Sequence, residues 1–278
     1  MQGKTEGAIY PLHLLLPHYL TPLKTNFMAK QKGIFKVEGT IGDVTFYKSK
    51  DGYMIREKGG ISAERMASDP AFERTRENQA EFGRAGKAGK LLRTAFRPLL
   101  QHAADSRMVS RMLQTMMRVV KADATSPRGQ RNVLDGELEL LENFEFNEAG
   151  KLGQTFFAPL TATINRTTGA LAIAIPPFVP MEQIAAPAEA THFRILAGGG
   201  SLDFEHEQFS TDTDASALLP LSGTPTTAIS LQFSVAANST HPLMLVLGIS
   251  FFQQVNGSSY SLKNGAFNAL AIVRVSGV

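Results

Sequence analysis

Cysteine and tryptophan are both absent from the 278 residues. Without cysteine there is no disulfide framework, no thiolate metal site and no cysteine nucleophile, so stability has to come from packing. Long apolar runs are missing too. The longest near the start, "LHLLLPHYL", is broken by a proline and two histidines and falls well short of the roughly 20 residues that cross a bilayer. Catalytic spacing is equally scarce. The histidines His13, His18, His102, His192, His206 and His241 form no HExxH pair, and "GGGS" at 198–201 lacks the features of a nucleophile elbow. These absences argue against the common hydrolase and zinc-enzyme constellations. The expectation is a non-enzymatic protein with no cofactor and no metal.

What is present is a core-forming composition, with 43% hydrophobic and 19% charged residues. The length suits one large or two ordinary domains. The net charge of +3 conceals a division: residues 28–131 carry 21 Lys and Arg against 11 Asp and Glu, whereas 132–278 carry 5 against 13. Such a split bears on partners rather than on fold. Residues 1–27 read as a leader, either disordered or the product of a misassigned start. They make a poor signal peptide, and "MAKQKGIFKVEG" from Met28 reads like a natural beginning. The compartment stays open, with the cytoplasm favoured if the chain starts at Met28.

The basic part, 28–131, opens with "IFKVEGTIGDVTFYKSKDGYMIREKGG", three short runs of strand formers from residue 34, with "KDG" as a hairpin signal between Tyr47 and Tyr53. "SDPAFERTRENQAEF" then starts a helix, with Asp69 or Ser68 as cap and Pro70 in the first turn. Phe72, Phe82, Leu92, Phe96 and Leu99 are expected to share its apolar stripe, and Pro98 to kink or end it. Glu73, Glu77 and Glu81 suit the early turns of a solvated face. A second helix follows a cap at Asp105, with Met108, Met112, Leu113, Met116, Val119 and Val120 at helical spacing.

"FGRAGKAGKLLR" at 82–93 imitates a phosphate loop. Five residues, not four, separate Gly83 from Gly89, Leu91 stands in place of the hydroxyl, and the stretch lies inside a helix. Gly83, Gly86 and Gly89 are therefore expected to form a close-packing surface, since glycine costs a helix about 1 kcal/mol and needs compensation. Arg84, Lys87, Lys90, Arg93 and Arg97 form one basic ridge, and Arg107, Arg111, Arg118 and Lys121 a second. The three readings are a solvated face, contact with an acidic protein surface, and nucleic acid.

A connector at 132–152 contains "DGELELLENFEFN", read as a short strand or helix, and leads to a β domain at 153–278. "LTATINRTTGALAIAI" is a hairpin. "AISLQFSVA" puts Ile229, Leu231, Phe233 and Val235 on one face, and "LMLVLGISFFQQVNGSSYSL" turns at Asn256-Gly257. The fold class expected is α+β: an N-terminal β-meander plus two or three helices, followed by an antiparallel immunoglobulin-like β-sandwich of seven or eight strands. "DFEHEQFSTDTD", with Asp203, Glu205, His206, Glu207, Asp212 and Asp214, lacks EF-hand order and reads as a solvated turn.

The stretches "GTIGDVTFYKSKDGYMIREKGG", "DPAFERTRENQAEFGRAGKAGKLLRTAFRPLL" and "FFQQVNGSSYSLKNGAFNALAIVRV" resemble uncharacterised proteins of the domain-of-unknown-function kind that are abundant in Bacteroidota. The resemblance covers nearly everything after Met28 and implies no activity or site residue. The functional expectation is a structural or interaction protein whose partner is another protein or itself, as a homo-oligomer joined head to tail. Nucleic-acid association through the basic helices is the alternative, and a carbohydrate- or calcium-binding sandwich the weaker one.

Overall fold

A computed structural model describes residues 28–57, 60–262 and 265–277. The leader at 1–27 lies outside the described residues. The chain divides into two units, Met1–Ser68 and Asp69–Val278.

The first unit holds a four-stranded antiparallel sheet of β1 (Met28–Lys30), β2 (Gly39–Ile41), β3 (Val44–Ser49) and β4 (Gly52–Glu57), in the order β1-β4-β3-β2. The expected hairpin forms around Lys50 and Asp51. Gly52 takes φ +110°, a backbone state glycine adopts without strain, and the Ser49 hydroxyl accepts from the Asp51 N–H at 3.2 Å. The run beginning at Ile34 forms no strand. The Gln31 side chain supplies its backbone partners instead, accepting from the Val37 N–H at 3.0 Å and donating to the Val37 carbonyl at 3.1 Å. A short helix, α1 (Ala63–Ser68), follows the sheet.

The second unit begins as expected, with the Asp69 carboxylate accepting from Ala71 N–H at 2.9 Å across a 3₁₀ turn that starts at Pro70. Helix α2 (Glu73–Ala95) ends at Phe96, and Pro98 sits in the first turn of α3 (Arg97–Leu100). Helix α4 (Met108–Ala122) starts where Asp105 accepts the Arg107 N–H at 2.6 Å. Its stripe is as read: Met108, Met112, Met116, Val119 and Val120 are buried and Leu113 packs beside them.

Nine strands follow among the described residues. The larger sheet is built on β7 (His192–Asp203) paired antiparallel with β11 (Leu243–Val255). Outside β7 lie β8 (Gln208–Ala215) and β9 (Leu219–Pro220), and outside β11 lie β12 (Ser258–Leu262) and β13 (Ala269–Ser276). The smaller sheet orders β10 (Ile229–Ser234), β6 (Ala170–Ile175) and β5 (Thr161–Asn165). Between the sheets pack Leu171, Ile173, Leu231 and Phe233 from one side and Phe193, Ile195, Leu247 and Ile249 from the other. The fold is thus α+β with an antiparallel β-sandwich. Asn256 and Gly257, at φ 51° and 79°, make the tight turn from β11 to β12.

The division at residue 131 does not survive as a domain boundary. Leu92, Phe96, Leu99, Met112 and Met116 share one core with Leu196, Met244, Val246, Leu270 and Ile272 of the large sheet. The helices therefore belong with the sandwich and cover its outer face. Leu243 to Phe251 is buried throughout because its side chains point alternately into two cores. The connector at 132–152 is likewise no linker. Leu138, Leu141, Phe144 and Phe146 are buried, and residues 143–146 lie along β13, with Asn143 N–H and Phe146 N–H each donating at 2.8 Å to Ile272 and Leu270 carbonyls.

Candidate interaction surface

Helix α2 buries Ala85, Ala88, Leu92 and Ala95, and the glycines separate around this seam. A Cβ at Gly89 would stand 3.2 Å from Met112, so this glycine is where α4 closes on α2. Gly83 and Gly86 meet nothing within 4 Å, which corrects the expectation that all three share one packing surface. Phe82, expected in the apolar stripe, is 54% exposed instead.

The basic ridge on α2 divides in the same way. Arg84 turns back along the protein and donates to the Gly129 and Arg131 carbonyls at 2.8 and 2.9 Å, holding a loop more than forty residues away. Lys87 meets Glu207 at 3.1 Å, with both side chains largely in water, a contact worth about 0–1 kcal/mol. Arg93 is partly desolvated and burial draws its pKa down. Among the described residues, Lys90, Arg93 and Arg97 have no ion-pair or hydrogen-bond partner for their side-chain charge. Phe82, Gly83, Gly86, Lys90 and Arg93 thus occupy one face of α2 that the other described residues leave largely open, and Arg97 follows at the start of α3.

On α4 the ridge is interrupted. Arg111 is only partly exposed: it pairs with Asp105, reaches Glu148 at 3.2 Å, donates to the Glu145 carbonyl at 2.6 Å and lies 5.5 Å from the Phe144 ring centre. Its work is to fasten the 143–148 segment to the helix. Arg107 and Arg118 point outward without a side-chain partner among the described residues. A polar cleft of about 530 Å³ opens beside Arg111, Arg118, Glu145 and Glu148. Burial pushes the Glu145 carboxyl up, although it accepts the Leu152 N–H at 3.0 Å.

Two buried carboxylates were not found from the sequence. Glu81, read as part of a solvated face, is 1% exposed. Arg131 grips it through Nε at 2.8 Å and Nη2 at 2.9 Å, and Gly129 N–H donates to it at 2.8 Å. That guanidinium holds Glu81 below the usual carboxylate range. Its spacing of four and seven to Ala85 and Ala88 was the available signal. Asp123, 4% exposed, would be driven up by burial, but the N–H groups of Ser126 and Asn132 and the Thr125 hydroxyl outweigh this and hold it far below its ordinary value.

A pH dependence follows. Glu81, Asp105 and Asp123 all titrate lower when folded than unfolded. Their stabilisation is complete above the unfolded carboxylate pKa of about 4 and is lost as pH falls towards the folded values. Glu145 has the opposite sign and favours the folded state slightly on protonation. Urea unfolding should therefore show little change from about pH 7 to 5 and a steep loss below about pH 4. Equal stability at pH 3 and pH 7 would contradict the assignment.

The acidic turn spends its groups locally. Asp203 accepts from the N–H groups of Glu205 and His206, each at 3.0 Å, and from His206 Nδ1 at 2.8 Å, while Asp212 and Asp214 accept from the next residue's N–H. Among the described residues, no three His, Asp or Glu side chains gather as metal ligands, and no helix is long and apolar enough to cross a membrane. Asp212 and Asp214 are exposed on β8, whose outer edge pairs with no strand among the described residues.

No family model matches the chain, nor does any curated protein or solved structure.

Proposed function

We propose that this is a non-enzymatic structural or interaction protein that enters a larger assembly through the outer face of α2. The carrying observation is the pair of glycines at 83 and 86. Each costs a helix interior about 1 kcal/mol relative to alanine, and no described residue lies within 4 Å of a Cβ added at either. A partner laid across them would supply the compensation, with Phe82 as an apolar anchor and Lys90, Arg93 and Arg97 meeting acidic groups. A second copy has such groups in Asp212 and Asp214. A contact between these unlike surfaces is heterologous, closing into a ring or running on as a filament.

The test is the assembled mass of the full chain by light scattering, at low and high salt. Lys90→Glu with Arg97→Glu should weaken assembly by about tenfold or more and leave the melting temperature unchanged. An assembly indifferent to these reversals would rule out this surface. Binding of a DNA duplex that fell steeply with salt would favour the nucleic-acid reading in its place.

A further inference from the structure

Among the described residues, the four-stranded sheet of the first unit has no core of its own. Every described side chain from Ala29 to Ser68 is exposed or half-exposed, and the buried residues begin in the second unit. Strand pairing nevertheless sorts the sheet into unlike faces. Because opposed residues point the same way, Ile41 with Val44, Phe46 with Ile55, and Lys48 with Tyr53 share one face. Thr40 with Thr45, Tyr47 with Met54, and Arg56 share the other. The second face satisfies itself in water: the Thr40 and Thr45 hydroxyls stand 3.3 Å apart and Arg56 lies 5.4 Å from the Tyr47 ring centre. The first face is apolar, with Ile41 67% exposed. A sheet of this kind is stable only when its apolar face is covered.

We infer that a second copy of the same sheet covers it, face to face about a two-fold axis. The charges on the apolar face identify the occupant. Lys48 lies at one end, beside Tyr53, and Glu57 at the other, beside Val44. They are separated by four residues along the strand, roughly 13 Å. A two-fold axis running across the strands at the Phe46–Ile55 row sets each copy's Phe46 and Ile55 against their counterparts. The same rotation carries Lys48 of each copy to the end where the other copy holds Glu57. The face is therefore complementary to itself in charge, as a closed two-fold contact requires, with Lys36 Nζ, 5.9 Å from the same Tyr53 ring centre, adding a second cation at the Lys48 end. Lys48 is held over the Tyr53 ring at 5.6 Å, which limits the freedom lost when it docks.

This contact is separate from the α2 surface and predicts a different result. Sedimentation equilibrium of the full chain should give a dimer that persists at high salt and in the Lys90→Glu/Arg97→Glu variant. Phe46→Glu should give a monomer whose second unit melts as in the wild type. Lys48→Glu and Glu57→Lys should each weaken the dimer by about tenfold, and the two together should restore it. A wild-type monomer at every concentration, a dimer that survives Phe46→Glu, or a double reversal no better than the single ones would each overturn the inference. A monomer whose sheet amides still resist hydrogen exchange would place a different occupant on this face. Loss of assembly only with the α2 variant would support the previous reading and reject this one.

Discussion

Arg131→Met will cost the second unit about 3–5 kcal/mol, more than any other single polar replacement considered in this protein. Glu81 loses two charge-assisted hydrogen bonds and keeps one, from Gly129 N–H, while remaining 1% exposed. An uncompensated carboxylate in that position either stays ionised against the cost of burial or takes a proton and raises its pKa. The partner change is the informative one. Glu81→Leu together with Arg131→Met removes both charges and extends the apolar seam of Ala85 and Ala88, so it should recover most of the loss. Urea unfolding of the two variants would decide it. A loss below about 1 kcal/mol in the single variant would mean that the pair is wet and the 123–136 loop held by other groups, Arg84 first among them.

That pair also explains where reading the sequence succeeded and where it stopped. Patterns decided by near neighbours were legible. The Asn256-Gly257 turn, the alternation in Ile229, Leu231 and Phe233, and the Met112–Met116 stripe each follow from backbone geometry over a few residues. Contacts over longer separations were not. Spacing placed Arg84, Lys87 and Lys90 on related faces of a helix, yet it carried no information on which would find a carbonyl near residue 130. The three glycines were equally alike in sequence, and only Gly89 turned out to face α4. The sharpest change in composition, at residue 131, marked a change of charge and no change of core. The continuous apolar run of β11 already required cover on both faces. Helices assigned to another domain were its second cover.

Gly198→Val and Gly199→Val will each destabilise the second unit by about 1–3 kcal/mol, and Gly200→Val by more. These three residues sit in the middle of β7, where a strand ordinarily prefers branched side chains. Their absence is a requirement of layering. A Cβ at Gly198 would stand 2.9 Å from Leu99 Cδ1 and 3.2 Å from the Phe96 ring, so this glycine lets the helices settle onto the sheet. At Gly199 it would meet Phe233 at 2.8 Å and Leu245 at 3.0 Å, so the next glycine lets the smaller sheet close from the opposite side. At Gly200 it would stand 2.3 Å from the Ser210 carbonyl and 2.7 Å from Thr211 Cα, which are backbone atoms of β8 and cannot yield without moving the strand. The first two substitutions press on side chains that can rotate, the third on a hydrogen-bonded ladder, and that difference sets the order of the losses. Gly223→Val is the control. Gly223 is exposed with nothing within 4 Å, and the same added atoms there should change stability by less than about 0.5 kcal/mol. Thermal and urea unfolding of the four variants would test the sequence of effects. Equal losses at all four positions would mean that backbone entropy, not the close approach of three layers, is what these glycines provide.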